Sequence, residues 1–534
     1  MRRVVGLFAL AAVCIVAWWW WLGRPVPVTV NALGPGEKLE CLSYAPFRGE
    51  QTPLDLSLHI EAWQIEEDLR QLAAVTGCVR TYSVHQGLDQ VLPIASKLGL
   101  KVLQGIWLGR DPDFNRRQIA TAIELVNKYP EAVRAVIVGN EVLLRGEQSA
   151  ATLAGIIREV KRQVPVPVTY ADVWEFWLRN RDLASAVDFV TVHILPYWED
   201  FPIAADQAAD HVMSIRRQVG TAFPGKEILI GEVGWPSAGR MREGALPSPS
   251  AQAQVLREVI AKAKQENVRV NLIEAYDAPW KRRFEGTVGG HWGLFDGATR
   301  EQKFYWDQPV SDQPNWPWQA AAGVLLALAV FSSAFLAQGK GHAESSSRLW
   351  PNVTLIAVVA GATLGITLQQ GATESLGWGG LLRSLGFLAV AILAPIAGAA
   401  ALAADTEIPI FARTLGRQAT RPKDSLSWLA GLALIAVTLA ALHAALGLVF
   451  DPRYRDFPAA ALTAAVLPFA VLAFVRGRSE GPRPLAETAA ATTLALSAVY
   501  IAFNETFTNW QALWLCAGLA ALAIILARVR GAPD

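Results

Sequence analysis

Hydrophobic and polar positions divide the chain into two stretches of different rhythm. Between Leu33 and Val310, short runs rich in β-branched and aromatic residues alternate with amphipathic segments of helical period. The strand-like runs are residues 39–45, 78–84, 101–107, 133–139, 167–171, 189–195, 228–232 and 268–275. Helical patterns lie between them, for example at 61–75, 116–129, 152–163, 205–222 and 251–265. Strand then helix, repeated to eight strands in about 275 residues, predicts an α/β fold of the (β/α)8, or TIM-barrel, type. The alternative is a doubly wound open sheet, which usually has fewer strands and often opens on a glycine-rich phosphate turn; none is found here.

After Trp316 the alternation gives way to long apolar runs, at roughly 317–337, 351–370, 381–404, 426–450, 458–475, 485–503 and 510–527. Each approaches the roughly 20 residues that a helix needs to cross a hydrocarbon core about 30 Å thick. One more run, 4–22, precedes the alternating part. It starts basic (Arg2, Arg3) but ends in Trp18-Trp19-Trp20-Trp21, with no small-residue cleavage site following. Tryptophan favours the membrane interface, so the run reads as an uncleaved anchor rather than a signal peptide. The expected organisation is an anchor and linker over 1–32, a barrel over 33–310 and an all-α transmembrane bundle of about seven helices over 317–534.

Composition sharpens this division. The 534 residues are 52% hydrophobic and 18% charged, with a net charge of +1, against about 25% charged for ordinary soluble chains. Residues 1–316 hold 34 Lys/Arg and 36 Asp/Glu, and the remaining 218 hold 14 and 11, so charge density falls from about 22% to about 11%. No basic surface argues for nucleic acid. Positive charge orients membrane helices. With the N-terminus in the cytosol, inside loops carry Lys340, Arg348, Arg413, Arg417, Arg421, Lys423, Arg476, Arg478 and Arg483, and the tail adds Arg528 and Arg530; outside loops carry only Arg453 and Arg455. Both termini are then cytosolic and the barrel lies outside.

A barrel carries its chemistry at the C-terminal ends of its strands. The fourth strand ends in Val138-Gly139-Asn140-Glu141, and the seventh in Ile230-Gly231-Glu232-Val233-Gly234-Trp235-Pro236-Ser237. Two glutamates at opposite rims suit glycosidic bond cleavage. One carboxyl protonates the leaving oxygen and the other attacks the anomeric carbon; in retaining enzymes the two carboxyls lie about 5–5.5 Å apart. The acid must hold its proton, so its pKa is expected to be raised. Asn140 is placed to bond a sugar 2-hydroxyl.

The segment from Lys226 to Gly239 resembles the signature of glycoside hydrolase family 17, the retaining β-1,3-glucanases and β-glucanosyltransferases. The resemblance covers about residues 36–306. It implies a (β/α)8 barrel with Glu141 as acid/base and Glu232 as nucleophile, and needs neither cofactor nor metal. Candidate sugar contacts are Tyr44, Arg80, Tyr82, Asn140, His193, Tyr197, Trp235, Tyr276, Asp277, Lys281 and Trp292. Aromatic faces suit the C–H faces of glucose, and charged or amide groups suit its hydroxyls. Plant members carry a further Glu three residues before the Lys, where this chain has Ala278.

Smaller signals stay open. Asp111-Pro112-Asp113 matches the Asp-x-Asp of metal-dependent glycosyltransferases but reads better as a turn. Cys41 and Cys78 lie on neighbouring strands and can form a disulfide, although strand ladders rarely bring two Cβ atoms into the right geometry. Cys14 and Cys516 are in apolar runs. Among membrane residues, His443 is the clearest ionisable group; Arg383 and Glu487 sit near helix ends, where they can snorkel. Pro395 and Pro468 are candidate kinks. The bundle is either a packed anchor or a passage for polymer or lipid. The predicted inside loops are too short for a nucleotide-sugar transferase domain.

A family 17-like barrel between one helix and a bundle resembles the bacterial β-(1→6)-glucan synthases of cyclic β-(1→3),(1→6)-glucan assembly. That resemblance implies a transglycosylase at the bacterial inner membrane with its barrel in the periplasm. Its partners would be β-glucan, membrane lipid and an inner-membrane glucan glycosyltransferase. A β-1,3-glucan hydrolase and a non-catalytic glucan-binding or export component are the alternatives.

Overall fold

The computed structural model describes residues 2–338, 346–416, 425–475 and 481–530. The chain forms two compact units. One is Val26–Ala238 with Gly244–Val310; the other is Met1–Pro25, Gly239–Glu243 and Ser311–Asp534.

The first unit is a closed parallel barrel. Its strands are β1 (Cys41–Ser43), β2 (Cys78–Arg80), β3 (Lys101–Ile106), β4 (Val133–Asn140), β5 (Val168–Val173), β6 (Val190–His193), β7 (Ile228–Val233) and β8 (Val270–Leu272). Each pairs with the next, and β8 returns to β1. The strands are continuous apolar runs because parallel strands are covered on both faces; β7 is buried at all six positions. β2 ends at Arg80, so Tyr82 lies just beyond it rather than on it.

Outside the sheet, helices such as Ala62–Val75, Ala205–Ala222 and Pro249–Gln265 bury one apolar stripe against the strands. Their starts are written in the sequence. Asp111 accepts the amides of Asp113 and Phe114 at 2.9 and 3.2 Å, with Pro112 in the first turn. The Asp-x-Asp is therefore a helix N-cap, where a carboxylate satisfies donors that the helix leaves open.

Inside the barrel, side chains stack in layers. Cys41, Cys78, Leu103, Ile137, Phe189 and Leu229 belong to a small apolar cluster distinct from the larger core between sheet and helices. Residues two apart on a strand share a face, so Arg80 stands above Cys78 and Ser43 above Cys41. Polar groups thus collect toward the C-terminal ends. Cys41 and Cys78 are joined by a disulfide, with Cα atoms 4.4 Å apart. Register decides this pairing: Leu42 faces Val79, so the two cysteines before them stand side by side.

The second unit is helical. Its long helices are Arg2–Leu22, Trp316–Ala337, Ser346–Glu374, Gly377–Ala403, Ser425–Phe450, Leu485–Asn504 and Trp510–Arg528, with the shorter Ala459–Val475. Among the described residues, seven are long and apolar enough to cross a membrane, and Ala459–Val475 is shorter. The N-terminal helix packs through Ala11, Ile15 and Trp19. Trp19 Nε1 donates to Gly361 O at 3.3 Å. At Gly323 a Cβ would meet the Gly361 carbonyl at 2.4 Å, so the small residue permits the helices' close approach. Helices run through Pro395 and Pro468. Arg383 pairs with Glu374 at 3.3 Å, and His443 lies 6.4 Å from Phe387, ring to ring. Glu487 does not snorkel: it is 1% exposed and accepts the Phe411 amide at 2.6 Å. In the same unit Arg240 forms a buried ion pair with Glu505. Of the basic loop residues, Lys340, Arg417, Arg421, Lys423, Arg476 and Arg478 lie outside the described residues.

The disulfide spans 37 residues of sequence, and closing a loop of that size stabilises by about 2–4 kcal/mol. Reducing the full chain, or replacing Cys41 by Ser, is expected to lower the barrel's denaturation midpoint accordingly, followed by near-ultraviolet circular dichroism. An unchanged midpoint would count against it.

Candidate active site

The site grows from the ends of β2, β4, β6 and β7. At β4 the strand turns sharply: Gly139 has φ +89° and Glu141 φ +50°. The first value suits glycine; the second is uncommon for a side-chain-bearing residue and belongs to turns and functional sites. The Glu141 amide donates to Ala171 O at 2.8 Å, which ties this turn to β5. At β7, Gly231 leaves room for its neighbour: a Cβ there would meet the Thr191 methyl at 2.3 Å. Its carbonyl accepts Arg80 at 2.8 Å and Asn271 at 2.7 Å. In register, His193 of β6 stands beside Glu232 of β7.

Arg80 is the hub. It is fully buried, and its guanidinium donates to Glu232 Oε1 at 2.9 Å, Asn140 Oδ1 at 2.5 Å and His193 Nε2 at 3.3 Å. Guanidinium has donors only, so His193 Nε2 must accept and Nδ1 carries the proton. That Nδ1 lies 2.8 Å from Glu141 Oε1 and donates to it. Tyr82 donates to the same Glu232 Oε1 at 2.8 Å. Both bonds to Glu232 fall on Oε1, which leaves Oε2 turned to other work. Oxygens of Glu141 and Glu232 and a ring nitrogen of His193 all lie within 4.8 Å of one another. These are metal-ligand atom types, but Arg80 is bonded to two of the three groups and already supplies the cationic charge an ion would bring.

Electrostatics differ from the simple expectation at Glu141. Burial raises its pKa, but the His193 hydrogen bond and the charges of Arg145 and Arg80 outweigh it, and the carboxyl is held below its usual range. A raised value was expected of an acid; without substrate the group rests as a carboxylate. Burial, then the Glu232 charge, holds the Tyr82 phenol well above its ordinary value, so it remains a donor.

The structure adds groups that the motifs did not mark. Glu274, two residues past β8, is 3% exposed and pairs with Lys281 at 2.7 Å. Lys281 therefore has a carboxylate partner although the position three residues before it is Ala278. Burial raises the Glu274 pKa, with Lys281 opposing. Glu285 is pushed up to about 7, first by burial and then against Lys281 by the charges of Glu274, Glu141 and Glu232. Asp172 on β5 is pushed up to about 6 by burial, while accepting the Tyr170 hydroxyl. Glu274 stands past a strand end like the motif glutamates, and that placement was the available signal.

The remaining candidates divide. Tyr197, Trp235 and Trp292 form one aromatic group: Tyr197 meets each of the other two edge-on with ring centres 6.1 Å apart. Trp198 lies nearly parallel to Trp292. The hydroxyls of Tyr44 and Tyr276 are engaged by other protein groups. The Tyr44 hydroxyl donates to Asp68 at 3.0 Å and Tyr276 to Gln71 at 2.7 Å, in a buried cluster with Arg48 and Arg300. Asp277 accepts the Gly293 amide at 2.9 Å and Lys303 at 2.6 Å, and so braces the β8 loop.

Residues 41–293 match the family model of the BtgE/BtgC glycoside hydrolase domain. Over 270 residues the chain is 28% identical to a glucan 1,3-beta-glucosidase of Arthroderma benhamiae, covering 47% of this chain and 86% of that protein. Over 255 residues it is 26% identical to the glucan 1,3-beta-glucosidase of Saccharomyces cerevisiae, covering 44% and 82%. It is 29% identical over 290 residues to the btgC protein of Aspergillus niger, of which it spans 42%. A solved glycoside hydrolase family 17 beta-1,3-glucanosyltransferase from Rhizomucor miehei shows 28% identity and a TM-score of 0.43, covering 49% of this chain and 98% of that one. The barrel is a glycoside hydrolase-type enzyme domain, similar in sequence to the BtgE/BtgC domain and to fungal glucan 1,3-beta-glucosidases.

The His193 contact leads the influences that lower the Glu141 pKa. His193→Ala removes it, so burial dominates and the pKa rises. The alkaline limb of kcat/KM against pH, which reports loss of the acid's proton, is expected to move to higher pH. A limb that stays put or moves down would contradict this.

Proposed function

We propose that the chain is a membrane-bound retaining β-glucan transglycosylase. It acts on β-1,3-glucan and forms β-1,6 linkages, with the barrel on the periplasmic side of a bacterial inner membrane and both termini cytosolic. The observation that carries the chemistry is the closeness of Glu141 and Glu232, within 4.8 Å through their oxygens. That spacing suits the retaining class, in which the carboxyls stand about 5–5.5 Å apart, and leaves no space for the water an inverting enzyme needs between them.

In the proposed cycle Glu232 Oε2 attacks the anomeric carbon while Arg80 and Tyr82 hold Oε1. Glu141, protonated as a bound chain displaces water, gives its proton to the departing glycosidic oxygen. The glycosyl–enzyme ester then waits for an acceptor. Glu141, again a carboxylate, takes the proton from the acceptor's O6; that oxygen attacks the anomeric carbon, and Glu232 leaves. Trp235, Tyr197 and Trp292 supply the aromatic surface, and Lys281 with Glu274 lines the same end of the barrel. Membrane lipid and a glucan-supplying glycosyltransferase of the inner membrane are the proposed partners. The seven long apolar helices and the disulfide suit this location, since disulfides persist outside the reducing cytosol.

Hydrolysis, with water as acceptor at the same two glutamates, is the second reading. It is favoured by the glucosidase names of the A. benhamiae and S. cerevisiae relatives.

The full chain in detergent, given defined β-1,3-gluco-oligosaccharides, is expected to yield longer products containing β-1,6 bonds, read by mass and linkage analysis. Shorter products alone would favour hydrolysis. Glu232→Gln is expected to cut turnover by on the order of a thousandfold or more, and Glu141→Gln by about 10²–10⁴. Wild-type turnover in Glu232→Gln would sink both readings.

A further inference from the structure

We infer that Gln252 is a positioning residue for the glucan site, holding the loops after β7 and β8 at a fixed separation. The inference rests on the reading above, that Glu232 and its aromatic neighbours bind glucan. Gln252 lies in the first turn of the helix Pro249–Gln265 and is fully buried. The start of that helix is set locally: Ser248 accepts the Ala251 amide at 3.1 Å.

From there the Gln252 amide faces three backbone carbonyls. Its Nε2 donates toward Trp235 O at 2.9 Å, Trp292 O at 3.1 Å and Gly293 O at 3.2 Å. Two N–H groups thus serve three acceptors on two loops. The first loop follows β7, in which Glu232 stands three residues before Trp235. The second carries Trp292, whose ring lies 3.1 Å from where a Cβ on Gly234 would stand. Trp292 O also accepts the Glu274 amide at 3.3 Å, and Leu294 N returns to Glu274 O at 2.8 Å. One side chain therefore ties the nucleophile's loop to the loop that holds Trp292 and Glu274.

A further observation favours positioning over plain packing. The Oε1 of Gln252 is buried without a hydrogen-bond partner among the described residues. A leucine would fill the same space without leaving a polar atom unpaired at a cost, so what the glutamine adds is its donors.

Gln252→Leu and Gln252→Glu, made in the full chain, test this by initial rates on β-1,3-gluco-oligosaccharides and by binding of the β-1,3-linked glucotriose. Losing these bonds is expected to raise KM and the glucotriose Kd about tenfold, while kcat stays within about threefold. Compared with wild type at each pH, Gln252→Glu should recover as pH falls, because the protonated acid regains one donor. Unchanged KM and Kd in both variants, with the wild type active, would overturn this inference alone. So would kcat and KM changes that merely follow loss of folded protein in a thermal melt. A wild type inert toward these glucans would overturn both this inference and the function it rests on.

Discussion

The buried guanidinium of Arg80 is the interaction on which the site depends. Glu141 and Glu232 stand within 4.8 Å of each other. At that distance, with an effective dielectric near 20, two carboxylates repel by on the order of 3 kcal/mol. One cation bonded to Glu232, Asn140 and His193 offsets that repulsion and also orders the hydrogen bonds. Because Arg80 can only donate, His193 must present its proton to Glu141. A single residue at the end of β2 therefore sets a tautomer on β6 and an ionisation state past β4. Such a buried charge is tolerable only because its partners are fixed by the strands.

The barrel separates what stabilises from what reacts. The alternation along each strand stacks an apolar layer with the Cys41–Cys78 bridge below and a polar layer of Ser43, Arg80, Asn140 and His193 above. Loops take over where the strands stop. Asp277 and Gln252 brace them, and the Asp68 cluster with Arg48, Arg300, Tyr44 and Tyr276 ties the outer helix to the ends of the sheet. Several polar side chains near the mouth thus hold the frame.

The helical unit follows another logic. Its apolar residues face outward as well as inward, so packing relies on small residues and close backbone approach, as at Gly323 and Gly361. Some polar groups buried there are met by distant parts of the chain, as Glu487 is by the Phe411 amide.

Local pattern alone determined much of this protein. Short β-rich runs alternating with helical segments marked eight strands, the apolar runs marked the long helices, and the motifs at two strand ends singled out Glu141 and Glu232. These are short-range properties, carried by spacing and side-chain volume. Tertiary structure decided the rest, because it depends on which residues far apart in sequence are brought together. Tyr44, Tyr276 and Asp277 had the right chemistry at the right strand ends, yet their hydroxyls and carboxylate are taken by Asp68, Gln71 and the β8 loop. Lys281 found its partner at Glu274, seven residues back. Register alone set Cys41 beside Cys78. The lowered pKa of Glu141 was invisible in sequence, since it arises from His193, 52 residues away, and through it from Arg80.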